Sequence, residues 1–212
     1  MAGNVILVSF ILHIIGDFYL QSRKMAREKN YRFLCLVWHS VIYSIPFGAA
    51  FIALSDTGAA AALFLFALVA AHFGVDILKT AACAVVKKLA KTDYEHIIYI
   101  ADQVMHALSI FAVYSLFREF GHSPAFVPGW IAGWEADYNA ALKWILLLLI
   151  VCKPANITFI KLFSHFKPED ADNTITNNKK AGAVIGSLER LLMVIFLSCG
   201  QFAAIGLILT AK

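Results

Sequence analysis

From about Ala59 to Val86 the chain is almost wholly apolar and carries no charge before Asp76. A run of that length exceeds the roughly 20 residues needed to cross a hydrocarbon layer, and within such a layer a lone segment satisfies its backbone only as a helix. The same run holds His72 and Asp76, four residues apart and therefore on one helix face. A charged side chain at the centre of a membrane helix costs roughly 2.5–3.5 kcal/mol on insertion scales, so it marks a functional site with a partner to be found. Two other apolar runs repeat the pattern, His13 with Asp17 and, in reversed order, Asp102 with His106.

Composition agrees with the membrane reading. Hydrophobic residues make up 60% of the 212 and charged residues 15%, with a mean hydropathy of +0.73, whereas soluble domains carry about 25% charge. Apolar runs at about 3–20, 32–54, 59–86, 97–117, 140–163 and 181–210 predict an all-α polytopic membrane bundle of about six transmembrane helices, a single domain over 1–212. The net charge of +4 is spread over short loops, so no nucleic-acid partner is expected. Cys35, Cys83, Cys152 and Cys199 each stand alone in a different run, which predicts buried free thiols.

Charge placement orients the bundle. No Lys or Arg precedes the first run and a basic segment follows it, the reverse of a signal peptide. That segment, Ser22 to Arg32, sets Arg23, Lys24, Arg27, Lys29 and Arg32 against Glu28 alone, and Lys87, Lys88 and Lys91 close the third run. By the positive-inside rule both are cytoplasmic and the N-terminus is outside. The second run, with Pro46 as an expected kink, goes outward to a turn at Ser55-Asp56-Thr57-Gly58. Between Gly121 and Asn139, Pro124, Pro128, Trp130 and Trp134 suit an outer interface. The fifth run passes Lys153-Pro154-Ala155-Asn156 to a polar loop, Lys167 to Lys180, that includes Glu169, Asp170 and Asp172. The sixth passes Gly182-x3-Gly186, a spacing for close helix contact, then Glu189-Arg190, and ends outside.

This topology lets the polar groups be compared in depth. The first and third helices run inward with His before Asp; the fourth runs outward with Asp before His. In all three the carboxylate is nearer the cytoplasm, with the layers about 6 Å apart. His39, seven residues after Arg32, falls at roughly 10 Å depth, beside Asp17. Lys153, Asn156, Glu189 and Arg190 fall at similar depth and are expected to border the same cavity, while Gln21 and Lys24 extend the stripe of Asp17. A lone membrane histidine is more often interhelical glue than a ligand, and an Asp can simply pair with Lys79 or Arg190. Three pairs at matched depth favour a site. Glu189-Arg190 divides between a packing ion pair and a substrate clamp, and His96, His122 and His165, near loop ends, are read as structural.

Together, His13-x3-Asp17-x3-Gln21, Trp38-His39, His72-x3-Asp76-x2-Lys79, Asp102-Gln103-x2-His106, Ile185-Gly186-x2-Glu189-Arg190, Ala204-Ile205-Gly206 and Ala211-Lys212 resemble a bacterial integral-membrane family, domain of unknown function 3307. The resemblance covers nearly the whole chain and implies a multi-pass protein of the bacterial inner membrane. Members of the family continue past the closing Ala-Lys, which implies a chain short at its C-terminus. The family name implies no activity. Its histidine-aspartate helices are similar in style to those of inner-membrane metal-dependent hydrolases, an analogy and not a motif match.

The expected function is metal-dependent hydrolysis of a lipid-linked or phosphorylated substrate near the cytoplasmic leaflet. Mixed imidazole and carboxylate ligands suit Zn²⁺, Mn²⁺ or Fe²⁺ better than Ca²⁺, and seven candidates are enough for two ions, which usually lie about 3.5–4 Å apart in such enzymes. Asp17, Asp76, Asp102 and His39 would form a shallower set of ligands and His13, His72 and His106 a deeper one. Lys153, Glu189 and Arg190 are the expected catalytic residues, the two cations neutralising charge on the reacting oxygens. The runner-up is a transporter or channel for protons or divalent cations, with His13-x3-Asp17 and His72-x3-Asp76 as a worn parallel repeat. Haem binding by facing histidines fits poorly with three aspartates. An anchoring subunit without chemistry of its own is the remaining alternative.

Overall fold

The structure, a computed structural model, describes residues 2–54, 58–89, 94–120, 135–163 and 176–210. Among the described residues every regular element is helical. Helix α1 (Ala2–Ile14) runs into a π-helical turn, Ile15–Tyr19; α2 (Arg23–Glu28), α3 (Phe33–Leu54), α4 (Ala59–Leu89), α5 (Glu95–Glu119), α6 (Glu135–Cys152), α7 (Pro154–Leu162), α8 (Thr176–Ser198) and α9 (Phe202–Thr210) follow. The chain forms two compact units, Met1–Leu146 and Leu147–Lys212.

In the first unit α4 packs against α3 and α5, α1 against α5, and α3 against the π turn. The core mixes apolar side chains with many polar ones, while large apolar side chains also line the surface. Buried positions include Asn4, His13, Asp17, Lys29, His39, His72, Asp76, Asp102 and His106, whereas Leu63, Phe66, Leu78, Leu108 and Leu116 are exposed. Along α4 the buried residues Ala61, Phe64, Leu65, Leu68, His72, Val75 and Asp76 recur at helical spacing, so one stripe is both the packing face and the polar face. The opposite face is apolar, as a helix needs when hydrocarbon is its solvent.

Among the described residues four helices are long and apolar enough to cross a membrane: Phe33–Ala53, Ala59–Val86, Glu95–Glu119 and Asp137–Leu162. They correspond to the second to fifth expected runs. The first run forms a shorter apolar helix, Asn4–Tyr19. The sixth is not continuous, because Gly200 adopts a φ of 69° between α8 and α9. There the Gly200 N–H bonds the Leu197 carbonyl at 3.1 Å and the Gln201 N–H bonds the Phe196 carbonyl at 2.8 Å. This pair of bonds is the glycine-dependent cap that ends a helix.

The basic stretch after the first run is also more ordered than a charged loop. Ser22 caps α2, its hydroxyl accepting the Met25 N–H at 3.2 Å. Arg23, Lys24, Arg27 and Arg32 are exposed, but Lys29 turns inward and is 3% exposed. None of the four cysteines is in a disulfide, as expected, yet none is buried: Cys35 and Cys83 are half-buried and Cys152 and Cys199 exposed. A thiol tolerates an apolar surround, so a lipid-facing surface serves it as well as a core. The expected turn at Ser55–Thr57, Lys91, His122, Pro124, Pro128, Trp130, Trp134, His165, Lys167, Glu169, Asp170, Asp172, Ala211 and Lys212 lie outside the described residues, as do the side chains of Lys87, Lys88, Lys179 and Lys180.

Candidate metal centre

Five segments of the first unit deliver the polar cluster. His13 ends α1, Asp17 lies in the π turn, His39 and Tyr43 share one face of α3, His72, Asp76 and Lys79 lie on α4, and Asp102 and His106 on α5. The i, i+4 spacing that makes each pair legible in the sequence also points both members toward the same neighbours.

Two layers are present. In one, His39 Nε2 lies 3.3 Å from Asp17 Oδ1 and 3.3 Å from Asp76 Oδ2. Lys29 Nζ enters the same space, donating to Asp76 Oδ1 at 3.0 Å and Oδ2 at 2.9 Å, with Asp17 Oδ1 at 3.5 Å. In the other layer the rings of His13, His72 and His106 lie against one another, with centroids 5.2 Å apart for His13–His106, 4.4 Å for His72–His106 and 5.6 Å for His13–His72. The layers join where His39 Nε2 and His72 Nε2 approach to 3.2 Å.

Hydrogen-bond partners fix the tautomers. The Gln21 amide fits with its nitrogen donating to the Asp17 carbonyl at 3.2 Å and its oxygen accepting from Lys29 Nζ at 3.1 Å and His39 Nδ1 at 3.0 Å. The His39 Nδ1–H then meets the Gln21 oxygen, and Nε2 faces the two carboxylates. His106 Nδ1 donates to the Asp102 carbonyl at 2.8 Å, leaving its Nε2 buried without a hydrogen-bond partner. His72 Nδ1 and one oxygen of Asp102, Oδ1, are likewise buried without such a partner. Donation of the second ring nitrogen to a carbonyl or amide is what metal-bound histidines ordinarily show.

Among the described residues two groups have donor atoms close enough together to hold an ion: Asp17, His39 and His72, and His72, Asp76 and His106, each with its atoms within 4.8 Å. His72 belongs to both. Asp102 and His13 stand beside these groups. Asp102 Oδ2 accepts from Lys79 Nζ at 2.6 Å and from Gln103 at 3.2 Å, which is the pairing with Lys79 that the sequence allows. His13 Nδ1 lies 3.1 Å from the Tyr43 hydroxyl.

Lys29 and Tyr43 are the residues that sequence reasoning passes over. Three aspartates in apolar runs with only Lys79 among them signal a missing cation, and Lys29 supplies it. Tyr43, four residues after His39, repeats the spacing of the His/Asp pairs, and its ring stacks on His72 with centroids 3.5 Å apart at 5°. Gly16 makes room for it, since a Cβ there would lie 2.6 Å from Tyr43 Cδ2. A π turn, often a functional feature, carries this contact and Asp17 together. Gly16→Ala is therefore expected to destabilise the protein by about 1–3 kcal/mol, the usual cost of overpacking. Gly74→Ala, where a Cβ meets nothing within 4 Å, is the control expected to leave the thermal midpoint at or slightly above wild type.

Lys153, Glu189 and Arg190 belong to the second unit. Lys153 stands at the break between α6 and α7, where Pro154 opens α7. Arg190 donates to the Val151 carbonyl at 3.3 Å, to Ser187 Oγ at 3.4 Å and to Asn156 Oδ1. Asn156 in turn donates to Ser187 Oγ at 2.6 Å and to the Ala183 carbonyl at 3.2 Å. Arg190 thus satisfies backbone left open by the proline break. Gly186 of the expected helix-contact spacing faces Asn156 and Arg190, whereas a Cβ on Gly182 would meet open space. Lys153, Glu189 and Arg190 therefore lie outside the unit that holds the His/Asp cluster.

A family model described as Protein of unknown function (DUF3307) matches residues 5–128, more than half of the chain. That span contains all seven His and Asp candidates with Gln21, Lys29, Tyr43 and Lys79, and it ends before Ile185-Gly186 and Glu189-Arg190. No curated protein and no solved structure matches the chain.

Proposed function

The chain belongs to the family described as Protein of unknown function (DUF3307), and from the cluster within the matched span we propose a membrane-embedded, divalent-metal-dependent hydrolase acting on a lipid-linked or phosphorylated substrate. The observation that carries this reading is the convergence of donor atoms: His39 and His72 with the carboxylates of Asp17 and Asp76, and His106 beside them, form buried groups with the reach to hold an ion. Buried carboxylates at this density need a cation, a place the Lys29 ammonium occupies and a divalent ion could take. Imidazole nitrogen with carboxylate oxygen suits Zn²⁺, Mn²⁺ or Fe²⁺.

A metal held there would acidify a bound water and polarise an ester oxygen. The chain's own residues supply the frame: Lys79 holds Asp102, the Asp102 carbonyl sets the tautomer of His106, Gln21 sets that of His39, and Tyr43 braces the face of His72. The setting we propose is a multi-pass protein of the bacterial inner membrane with six crossings and its N-terminus outside. The four membrane-length helices and the exposed Arg23, Lys24, Arg27 and Arg32 support it.

In the purified full chain, elemental analysis is expected to find zinc, manganese or iron. Mass spectrometry of native lipid extract incubated with the protein is expected to reveal a hydrolysis product that His72→Ala abolishes. Finding neither metal nor product overturns the reading. The contacts of Tyr43 with His13 at 3.1 Å and of His39 with His72 at 3.2 Å favour a second reading, a relay for protons or divalent cations. Metal-dependent flux in proteoliposomes without any product would select it.

A further inference from the structure

Lys29 is a lysine of the most basic segment of the chain, yet its side chain is only 4% exposed. It bonds both oxygens of Asp76 and approaches Asp17, which are carboxylates of the two candidate ligand groups. The ammonium therefore sits where a metal ion's charge would be needed. The tether behind it is light: none of the residues of α2 is buried, and Glu28 makes only local pairs with Lys24 and Arg32 and accepts from the Cys35 thiol.

Charge decides how many cations the cluster can hold. Three carboxylates, Asp17, Asp76 and Asp102, face two ammonium groups, and Lys79 is committed to Asp102 at 2.6 Å. With neutral imidazoles the cluster is left one negative charge in excess. Replacing the Lys29 ammonium by one divalent ion makes it neutral. Adding an ion while Lys29 stays leaves a surplus positive charge, and a second ion a larger one, in a site that excludes water.

Resting on the metal-centre reading above, we infer that the site takes a single divalent ion in exchange for Lys29, whose side chain leaves to the aqueous face with α2 as its tether. Lys29 is an internal competitor: it neutralises Asp17 and Asp76 when no metal is bound and lowers the affinity for metal by the work of displacing it. The exchange also couples the surface segment to the occupancy of the buried site, because Lys29 is outside whenever the ion is inside.

The full chain in phosphatidylcholine nanodiscs, with Mn²⁺ alone as the probe, provides the test. Amine acylation read by mass spectrometry is expected to spare Lys29 without Mn²⁺ and to label it at saturating Mn²⁺, while Lys24, whose side chain is 83% exposed, labels in both states. Lys29→Met is expected to bind one Mn²⁺ per chain about tenfold more tightly than wild type, since the competing state is gone. The labelling arm uses wild type alone and so decides the matter even if the variant folds poorly. Binding by Lys29→Met alone also supports the exchange, with Lys29 prevailing in wild type. Bound Mn²⁺ with Lys29 still protected, or with affinity unchanged by Lys29→Met, overturns the exchange and leaves the metal centre standing. No binding by either protein overturns both.

Discussion

Asp76→Asn is expected to lower metal affinity by about 100-fold or more while the helices remain folded. Changes confined to residues behind the ligands typically cost 10–100-fold, and Asp76 is itself a candidate ligand. Its carboxylate lies 3.3 Å from His39 Nε2 and 3.5 Å from His72 Nε2, so it borders both layers of the cluster. Asparagine keeps the shape and removes the charge that holds a cation. The fold survives because the other partner of Asp76 can leave: Lys29 follows an exposed short helix and reaches water once its carboxylate is neutral. The measurement pairs elemental analysis with far-ultraviolet circular dichroism. Full metal content in Asp76→Asn would sink the centre, and collapse of helicity would show that Asp76 serves the fold first.

What could be read from the sequence depends on whether a local spacing or the surrounding fold places each residue. The His/Asp pairs were legible because a spacing of four on a helix is a local rule, and opposite helix directions then put His13, His72 and His106 in one layer. The burial of Lys29 was not legible. In one dimension it is one of five basic residues that orient a loop, and only the fold around Asp17 and Asp76 draws it inward. Tyr43 was hidden for a related reason, since an aromatic residue in an apolar run reads as packing until the ring it stacks on is known. The long helices from Phe33 to Glu119 followed from apolar length alone. The sixth run failed as one helix because hydropathy does not register the single positive φ of Gly200. Nor does hydropathy show that the chain from Leu147 onward forms a unit of its own.

Loss of the other cation of the cluster is expected to be the most damaging substitution to stability. Lys79 lies within α4 and its side chain is only 17% exposed, while the Asp102 carboxylate it holds at 2.6 Å is 2% exposed on α5. Lys79→Met removes the ammonium and fills its space with apolar atoms, leaving Asp102 buried with the Gln103 amide as its remaining donor at 3.2 Å and with His106 Nδ1 at 3.3 Å. Breaking a buried pair from one side costs about 3–5 kcal/mol, because the surviving charge has no solvent to return to. The companion change, Asp102→Asn, leaves a lysine long enough to carry its charge toward water and is expected to cost clearly less. Joining the two as Lys79→Met with Asp102→Asn should recover most of the loss, since no uncompensated charge remains. Thermal unfolding of the four proteins in one detergent gives the cycle directly. Equal losses for the two single changes, with no recovery in the double, would mean that packing between α4 and α5, and not charge, sets the stability of this pair.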